Sequence, residues 1–202
     1  MRWGGLVLCG GRSERMGEDK ACLPFGHETL LQRMLRLMRL GLGEVPLAIA
    51  AAANQRLPPL PPEVLVTHDE MAGCGPIEGL YRGLLLLSEN CEAAVVVSCD
   101  IPLLVPEVPR LLQQALGAAD AAVVGEPDGR LHPLCGAWRI TVLDEIARMR
   151  ANSERRLQTA LARVRTVVVP AAELRKVDPE LRSLWNVNDR RSYEEARVKG
   201  EG

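Results

Sequence analysis

Aromatic side chains are scarce in this chain: three Trp, two Tyr and one Phe among 202 residues, 3% of the total. That leaves too few flat rings for a base-stacking nucleic-acid platform. Charge of one sign is also missing. Lys+Arg number 25 against Asp+Glu 26, a net charge of −1, which argues against a generally cationic nucleic-acid binder. Long apolar runs are absent too. The run near the N-terminus, residues 1–11, is too short for a secretion signal, and the stretch Val45–Ala53 is about half a membrane span. The six cysteines, Cys9, Cys22, Cys74, Cys91, Cys99 and Cys135, include no CxxC pair, and no histidine completes a zinc pattern. They read as buried reduced thiols, and the expectation is a soluble cytoplasmic protein without nucleic-acid or membrane partners. Lysine is rare: Lys20, Lys176 and Lys199 are the only three.

What is present is ordinary globular material, 47% apolar and 25% charged. The length predicts one domain over 1–202, large enough to bury about 70% of its unfolded surface. Short apolar runs at Gly5–Cys9, Leu47–Ala51, Val64–Val66, Ala94–Val97, Ala121–Val124, Leu131–Trp138 and Val164–Val169 predict strands. Between them, Leu31, Met34, Leu35, Met38 and Leu42 recur at helical spacing, with Gly43 as a stop. Ile77, Leu80, Tyr81, Leu84 and Leu87 mark a second helix with Pro76 in its first turn. Val108–Ala115, 140–150, 154–163 and 189–198 predict further helices. Pro127-Asp128-Gly129 predicts a turn. Alternating strands and helices predict a mostly parallel sheet covered on both faces, a three-layer α/β/α architecture. Ligands of such sheets sit beyond the carboxyl ends of the strands. Gly10–Lys20, Asp69 and Ser98–Asp100 all follow predicted strands.

The segment Leu8-Cys9-Gly10-Gly11-Arg12-Ser13-Glu14-Arg15-Met16-Gly17-Glu18-Asp19-Lys20 carries the strongest signal. Adjacent glycines after a buried strand let the backbone turn sharply and approach a ligand, and their N–H groups can form an anion nest. Arg12, Arg15 and Lys20 add three cations that folding does not require and a polyphosphate would complement. The competing reading is a surface turn with solvated arginines. Neither GxxxxGK[ST] nor GxGxxG is present, so the P-loop and dinucleotide fingerprints are excluded.

This segment resembles the L-x-G-G-x-x-x-R-M-G-x-D-K signature of nucleotidyltransferases with a Rossmann-like fold, and within them the molybdenum cofactor guanylyltransferases. The likeness continues through Asp69, Gly75-Pro76-Ile77-Glu78-Gly79, Ser98-Cys99-Asp100-Ile101-Pro102, His132-Pro133, Glu154-Arg155-Arg156 and Asn186-Val187-Asn188. Cys9 and Glu78 stand where the family usually has alanine, Ser98 where it has proline, and Ala52 where it has a second asparagine beside Asn54.

The resemblance implies transfer of GMP from GTP to molybdopterin. It implies a nucleotide-binding N-terminal half and an acceptor-binding C-terminal half. Arg15, Lys20 and Asp100 would be catalytic, with Mg²⁺ held by Asp100. Leu8, Cys9, Gly10, Gly11, Arg12, Lys20, Asp69, Gly75, Pro76, Gly79 and Asp100 would surround the nucleotide. His132, Arg156, Asn186 and Asn188 would meet the acceptor. Other molybdenum-cofactor biosynthesis proteins and recipient molybdoenzymes would be further partners.

Each site has a plainer alternative. Asp100 could cap a turn, Gly75–Gly79 could serve helix packing, and Asp69 could be solvated, as His27 and His68 are expected to be. A cytidylyltransferase for the same cofactor, a sugar-phosphate nucleotidyltransferase and a non-catalytic nucleotide-binding module remain as other readings. Gly10, where the cytidylyltransferase has alanine, favours guanine. Room left by Gly10, Gly75 and Gly79 would take a purine, so Gly10→Ala is expected to weaken GTP use and narrow the gap to CTP.

Overall fold

The structure, a computed structural model, describes residues 1–10, 19–71 and 74–200. Among the described residues the strands are β1 (Trp3–Leu8), β2 (Pro24–Phe25), β3 (Glu28–Thr29), β4 (Leu47–Ala51), β5 (Leu65–His68), β6 (Ala93–Ser98), β7 (Ala121–Gly125), β8 (Leu131–Arg139) and β9 (Thr166–Pro170). The α-helices are α1 (Leu30–Leu42), α2 (Pro76–Leu87), α3 (Glu107–Ala115), α4 (Leu143–Ala151), α5 (Leu157–Arg163), α6 (Ala171–Leu174) and α7 (Arg190–Gly200). Seven strands form one sheet in the order β5-β4-β1-β6-β8-β7-β9. All neighbours pair in parallel except around β8, which runs antiparallel to both β6 and β7.

Side-chain alternation along the central strands divides the core into two layers. Val7, Ile49, Val95 and Val97 face α1, α3 and α6. Leu6, Leu8, Ala48, Ala50 and Val96 face α2, α4 and α5. Both faces of these strands are therefore buried, which is why each reads as a continuous apolar run. Helix α1 opens on a capping box: Gln32 N donates to Thr29 Oγ1 at 3.3 Å and Thr29 N donates to Gln32 Oε1 at 2.9 Å. It ends at Gly43, whose φ of 75° is the left-handed stop the sequence predicts.

Several boundaries differ from expectation. The strand expected at Val64–Val66 is Leu65–His68, the last strand starts at Thr166 rather than Val164, and α5 starts at Leu157 rather than 154. The β2–β3 hairpin was not anticipated. It turns at Gly26, φ 63°, and packs Phe25 with Leu23, Leu30, Leu103, Val187, Tyr193 and Ala196 of α7 in a third small core. The Tyr193 hydroxyl donates to Pro24 O, so the C-terminal helix is tied to the hairpin. Register slips between Val123 and Val124, which pair with Gly136 and His132. The bulge takes up Pro133, which has no N–H to give a ladder, and Trp138 Nε1 donates to Pro133 O at 3.0 Å.

Candidate active site

The parallel strands end together. Cys9 N donates to Ala50 O at 3.0 Å, Cys99 N to Leu8 O at 2.9 Å and Asp69 N to Ala51 O at 2.8 Å. Gly10, Ala52, Asp69 and Asp100 therefore leave the sheet at one edge, the carboxyl end where such sheets bind ligands.

Val187 knits the site. Its N–H donates to Asp100 O at 2.8 Å, and its carbonyl accepts from Lys20 Nζ at 2.7 Å. Asn188 Oδ1 lies 3.4 Å from the same ammonium. Lys20 and Val187 are 167 residues apart, yet the hairpin and α7 close the chain so that the lysine, the aspartate and the Asn-Val-Asn segment meet. The Asp100 Oδ1 accepts from Ser98 Oγ at 2.5 Å, which orients the carboxylate. A cleft of about 250 Å³ beside it is lined by Asp100, Arg130, His132, Gln158 and Asn186 among others. His132 Nε2 sits 2.6 Å from Glu126 Oε1.

Asp69 is partly buried, and burial first, the negative Glu78 second, raise its carboxyl to about 6 while His68 pulls the other way. Glu78 itself is fully buried on α2. Its Oε2 accepts from Arg150 Nε at 2.6 Å, and the guanidinium lies 3.9 Å from the Tyr81 ring centroid. The alanine-to-glutamate departure thus comes with a partner on α4. The Cys9 thiol is pushed up to about 12, by burial foremost, and Cys99 is raised for the same reason, so neither is a ready nucleophile.

The expected roles of Leu8, Cys9, Gly10, Gly79 and Arg156 change. Leu8 and Cys9 point their side chains into the two cores, and their carbonyls already accept from Cys99 N and Gln55 Nε2. They shape the site rather than present groups to a nucleotide. Gly79 leaves no room for a base: a Cβ there would lie 3.2 Å from Leu8 Cδ2 and 3.6 Å from Ala50 Cβ, so the glycine serves close packing of α2 on the sheet. At Gly10 a Cβ would lie 3.0 Å from Ala52 N and 3.4 Å from Asp69 Oδ2, against protein rather than open cleft. Gly75 does face open space, and its φ of 68° also demands glycine. Pro76 is exposed as the first residue of α2. Arg156 is exposed ahead of α5 and is not in the cleft lining, where Gln158 stands instead. Gly11, Arg12 and Arg15 lie outside the described residues.

Sequence reasoning missed Gln55, Arg130, Gln158 and the Glu78–Arg150 pair. Only the Glu78 departure offered a signal. No group of three or more His, Cys, Asp or Glu able to hold a metal occurs among the described residues. A lone hard carboxylate such as Asp100 nonetheless suits Mg²⁺, which usually takes one or two carboxylates and completes its shell with phosphate oxygens and water.

A lysine and an aspartate tied together through the Val187 backbone at the carboxyl edge of a mostly parallel sheet suit a nucleotidyltransferase-type α/β protein. The chain belongs to the MobA-like NTP transferase domain family, whose model matches residues 5–167. It is 37% identical over 188 residues to a Mycobacterium tuberculosis protein named "Probable molybdenum cofactor guanylyltransferase", covering 91% of this chain and 88% of that one. A protein of the same name from Mycobacterium avium is 33% identical, with 98% of each chain covered. Among solved structures, molybdopterin-guanine dinucleotide biosynthesis protein A from Archaeoglobus fulgidus superposes with a TM-score of 0.79 at 22% identity over 98% of both chains. A Thermus thermophilus 2-C-methyl-D-erythritol 4-phosphate cytidylyltransferase shares the fold, with a TM-score of 0.69 at 16% identity over 98% of both chains. The chain is a MobA-type nucleotidyltransferase. No helix among the described residues is long and apolar enough to cross a membrane.

Proposed function

We propose that the protein, acting as one domain over 1–202, transfers GMP from GTP to the phosphate of molybdopterin. An oxygen of the acceptor phosphate attacks the α-phosphorus and forms a new phosphoanhydride. The bond to the bridging oxygen breaks, and pyrophosphate leaves with that electron pair. The names of the relatives support this reading, and one observation carries it: Val187 joins Lys20 to Asp100 at the mouth of a polar cleft.

The nucleophile is already an anion, so no strong base is needed. The obstacles are repulsion between anions and charge growing on the leaving group, which positioning and fixed charge relieve. Lys20, steered by Val187 O, meets the phosphates of GTP; Arg15 is assigned to the same phosphates and Gly11 and Arg12 to the loop around them. Gly10, Asp69, Gly75 and Pro76 form the nucleotide side. Asp100, held by Ser98, would carry Mg²⁺, which supplies charge neutralisation and Lewis acidity when bound. His132, with Glu126 behind it, Arg130, Gln158 and Asn186 line the acceptor side; Asn188 braces Lys20.

The test is incubation with molybdopterin, Mg²⁺ and each of the four NTPs, with mass analysis of the product. GTP is expected to give the guanine dinucleotide and pyrophosphate. A CMP adduct would reassign the nucleotide to cytosine, and no adduct with any NTP would reduce the protein to a binding module.

A further inference from the structure

A tight turn follows β4. Asn54 takes a left-handed conformation, φ 62°, which asparagine adopts more readily than most residues. Gln55 N donates back to Ala52 O at 3.1 Å. The turn lays the Gln55 side chain across the end of β1, where all its polar capacity is engaged. Its Oε1 accepts from Ala52 N at 2.8 Å. Its Nε2 donates to Cys9 O at 2.9 Å and to Asp19 Oδ1 at 2.7 Å. Asp19 Oδ1 also accepts from Ala21 N at 3.0 Å and so caps the 3-10 turn Lys20–Cys22.

One side-chain amide therefore joins the end of β1, the end of β4 and the cap from which Lys20 springs. The chemistry is specific to an amide: two of the groups it meets are acceptors and two are donors, Ala52 N and the Cys9 thiol, whose Sγ lies 3.9 Å from Gln55 Oε1. A carboxylate would satisfy Ala52 N but oppose both Cys9 O and Asp19. An aliphatic side chain would satisfy none of the four.

We propose that Gln55 is a positioning residue for the nucleotide site, fixing the Lys20 turn against the ends of β1 and β4 so that the lysine meets the nucleotide's phosphates. This rests on the nucleotidyltransferase reading above, although Gln55 itself touches no substrate.

The experiment is calorimetric titration of the full chain with each NTP in Mg²⁺, well below the unfolding temperature, for wild type, Gln55→Leu and Gln55→Glu at pH 7.5 and 5.5. Affinities for the variants are compared with wild type for the NTP that wild type binds most tightly. Gln55→Leu is expected to bind at least tenfold more weakly. Gln55→Glu is expected to lose as much at pH 7.5 and to recover threefold or more relative to wild type at pH 5.5, because protonating the introduced carboxyl restores one donor beside Cys9 O and Asp19. A purely architectural role would lower the unfolding temperature without this pH-dependent recovery. Variants within twofold of wild type, or a Gln55→Glu loss equal at both pH values, overturn the proposal. Should Gln55→Leu fail to fold, Gln55→Glu decides alone. A wild type that binds no NTP overturns the function and this proposal together; a wild type that binds while the variants match it overturns the proposal alone.

Discussion

Asp69 should make nucleotide recognition sensitive to pH in a range where an ordinary aspartate is not. Its carboxyl is raised to about 6, by burial and then by Glu78, against an unperturbed value of about 3.9. At that value the group is roughly nine-tenths ionised at pH 7 and roughly one-tenth at pH 5. The proposed function puts Asp69 on the nucleotide side, where its ionised oxygen is taken to accept from the N–H donors of guanine. The carboxylate is then the binding form, so affinity rises with pH through about 6 and levels off above it, changing about tenfold between pH 5 and 7. The assay is GTP titration by calorimetry from pH 5 to 8 with wild type and Asp69→Asn. Protonation of the nucleotide's own phosphates is common to both proteins, so the ratio of their affinities isolates Asp69. Glu78→Gln offers an internal control: removing that negative charge should move the midpoint downward, while the burial contribution keeps it above the ordinary range. A ratio that stays constant across the range would refute the guanine contact. A midpoint that Glu78→Gln leaves in place or moves upward would refute the electrostatic account.

The elements around this site were legible because their physics is local. Leu47–Ala51 and Ala94–Val97 are buried on both faces and read as unbroken apolar runs, and the apolar spacing of α1 ends at a glycine that only a stop explains. Reversal of β8 against β7 follows from the short Pro127-Asp128-Gly129 connection, which leaves no room for the crossover a parallel neighbour needs; its pairing with β6 has no such local signal, since a strand buried between two neighbours has the same composition in either direction. Gly79 illustrates a deeper ambiguity. A missing Cβ looks identical in sequence whether a base or Leu8 fills the space. The Glu78–Arg150 pair spans 72 residues, and nothing in either local pattern announces the other. Gln55 is quieter still, a polar residue in a loop, and its side-chain contacts exist only once β1, β4 and the Lys20 turn converge. The motif singles out Lys20 and Asp100, but their link through the Val187 backbone lies in the tertiary closure of α7 over the hairpin.

Lys20→Ala is expected to lower kcat/KM on the order of 10²-fold, with only about 1 kcal/mol of stability lost with its contacts to Val187 and Asn188; wild-type turnover in the folded variant would remove the lysine from the mechanism. Asp100→Asn keeps an acceptor for Ser98 Oγ and should unfold near the wild-type temperature while losing Mg²⁺-dependent turnover, so full turnover at ordinary Mg²⁺ would place the metal elsewhere. Glu78→Ala strands Arg150 in a partly buried position and should destabilise by about 3 kcal/mol, read as a drop in thermal midpoint; an unchanged midpoint would show that the pair contributes nothing net. Gly10→Ala discriminates between two accounts of specificity. If the glycine made room for the larger base, the methyl would hurt GTP alone and narrow the gap to CTP. The structure argues otherwise, because that methyl would sit 3.0 Å from Ala52 N and 3.4 Å from Asp69 Oδ2. Ala52 N is itself bound to Gln55 Oε1, so this backbone neighbour does not yield freely, while the Asp69 carboxylate is at ordinary contact distance. Overpacking of this kind costs about 1–3 kcal/mol, and the displaced turn carries the support of Lys20, which the proposed function assigns to the phosphates common to every NTP. The expected outcome is a shared fall in kcat/KM for GTP and CTP of about tenfold, larger than any change in their ratio. A loss confined to GTP would show that the methyl meets the base after all.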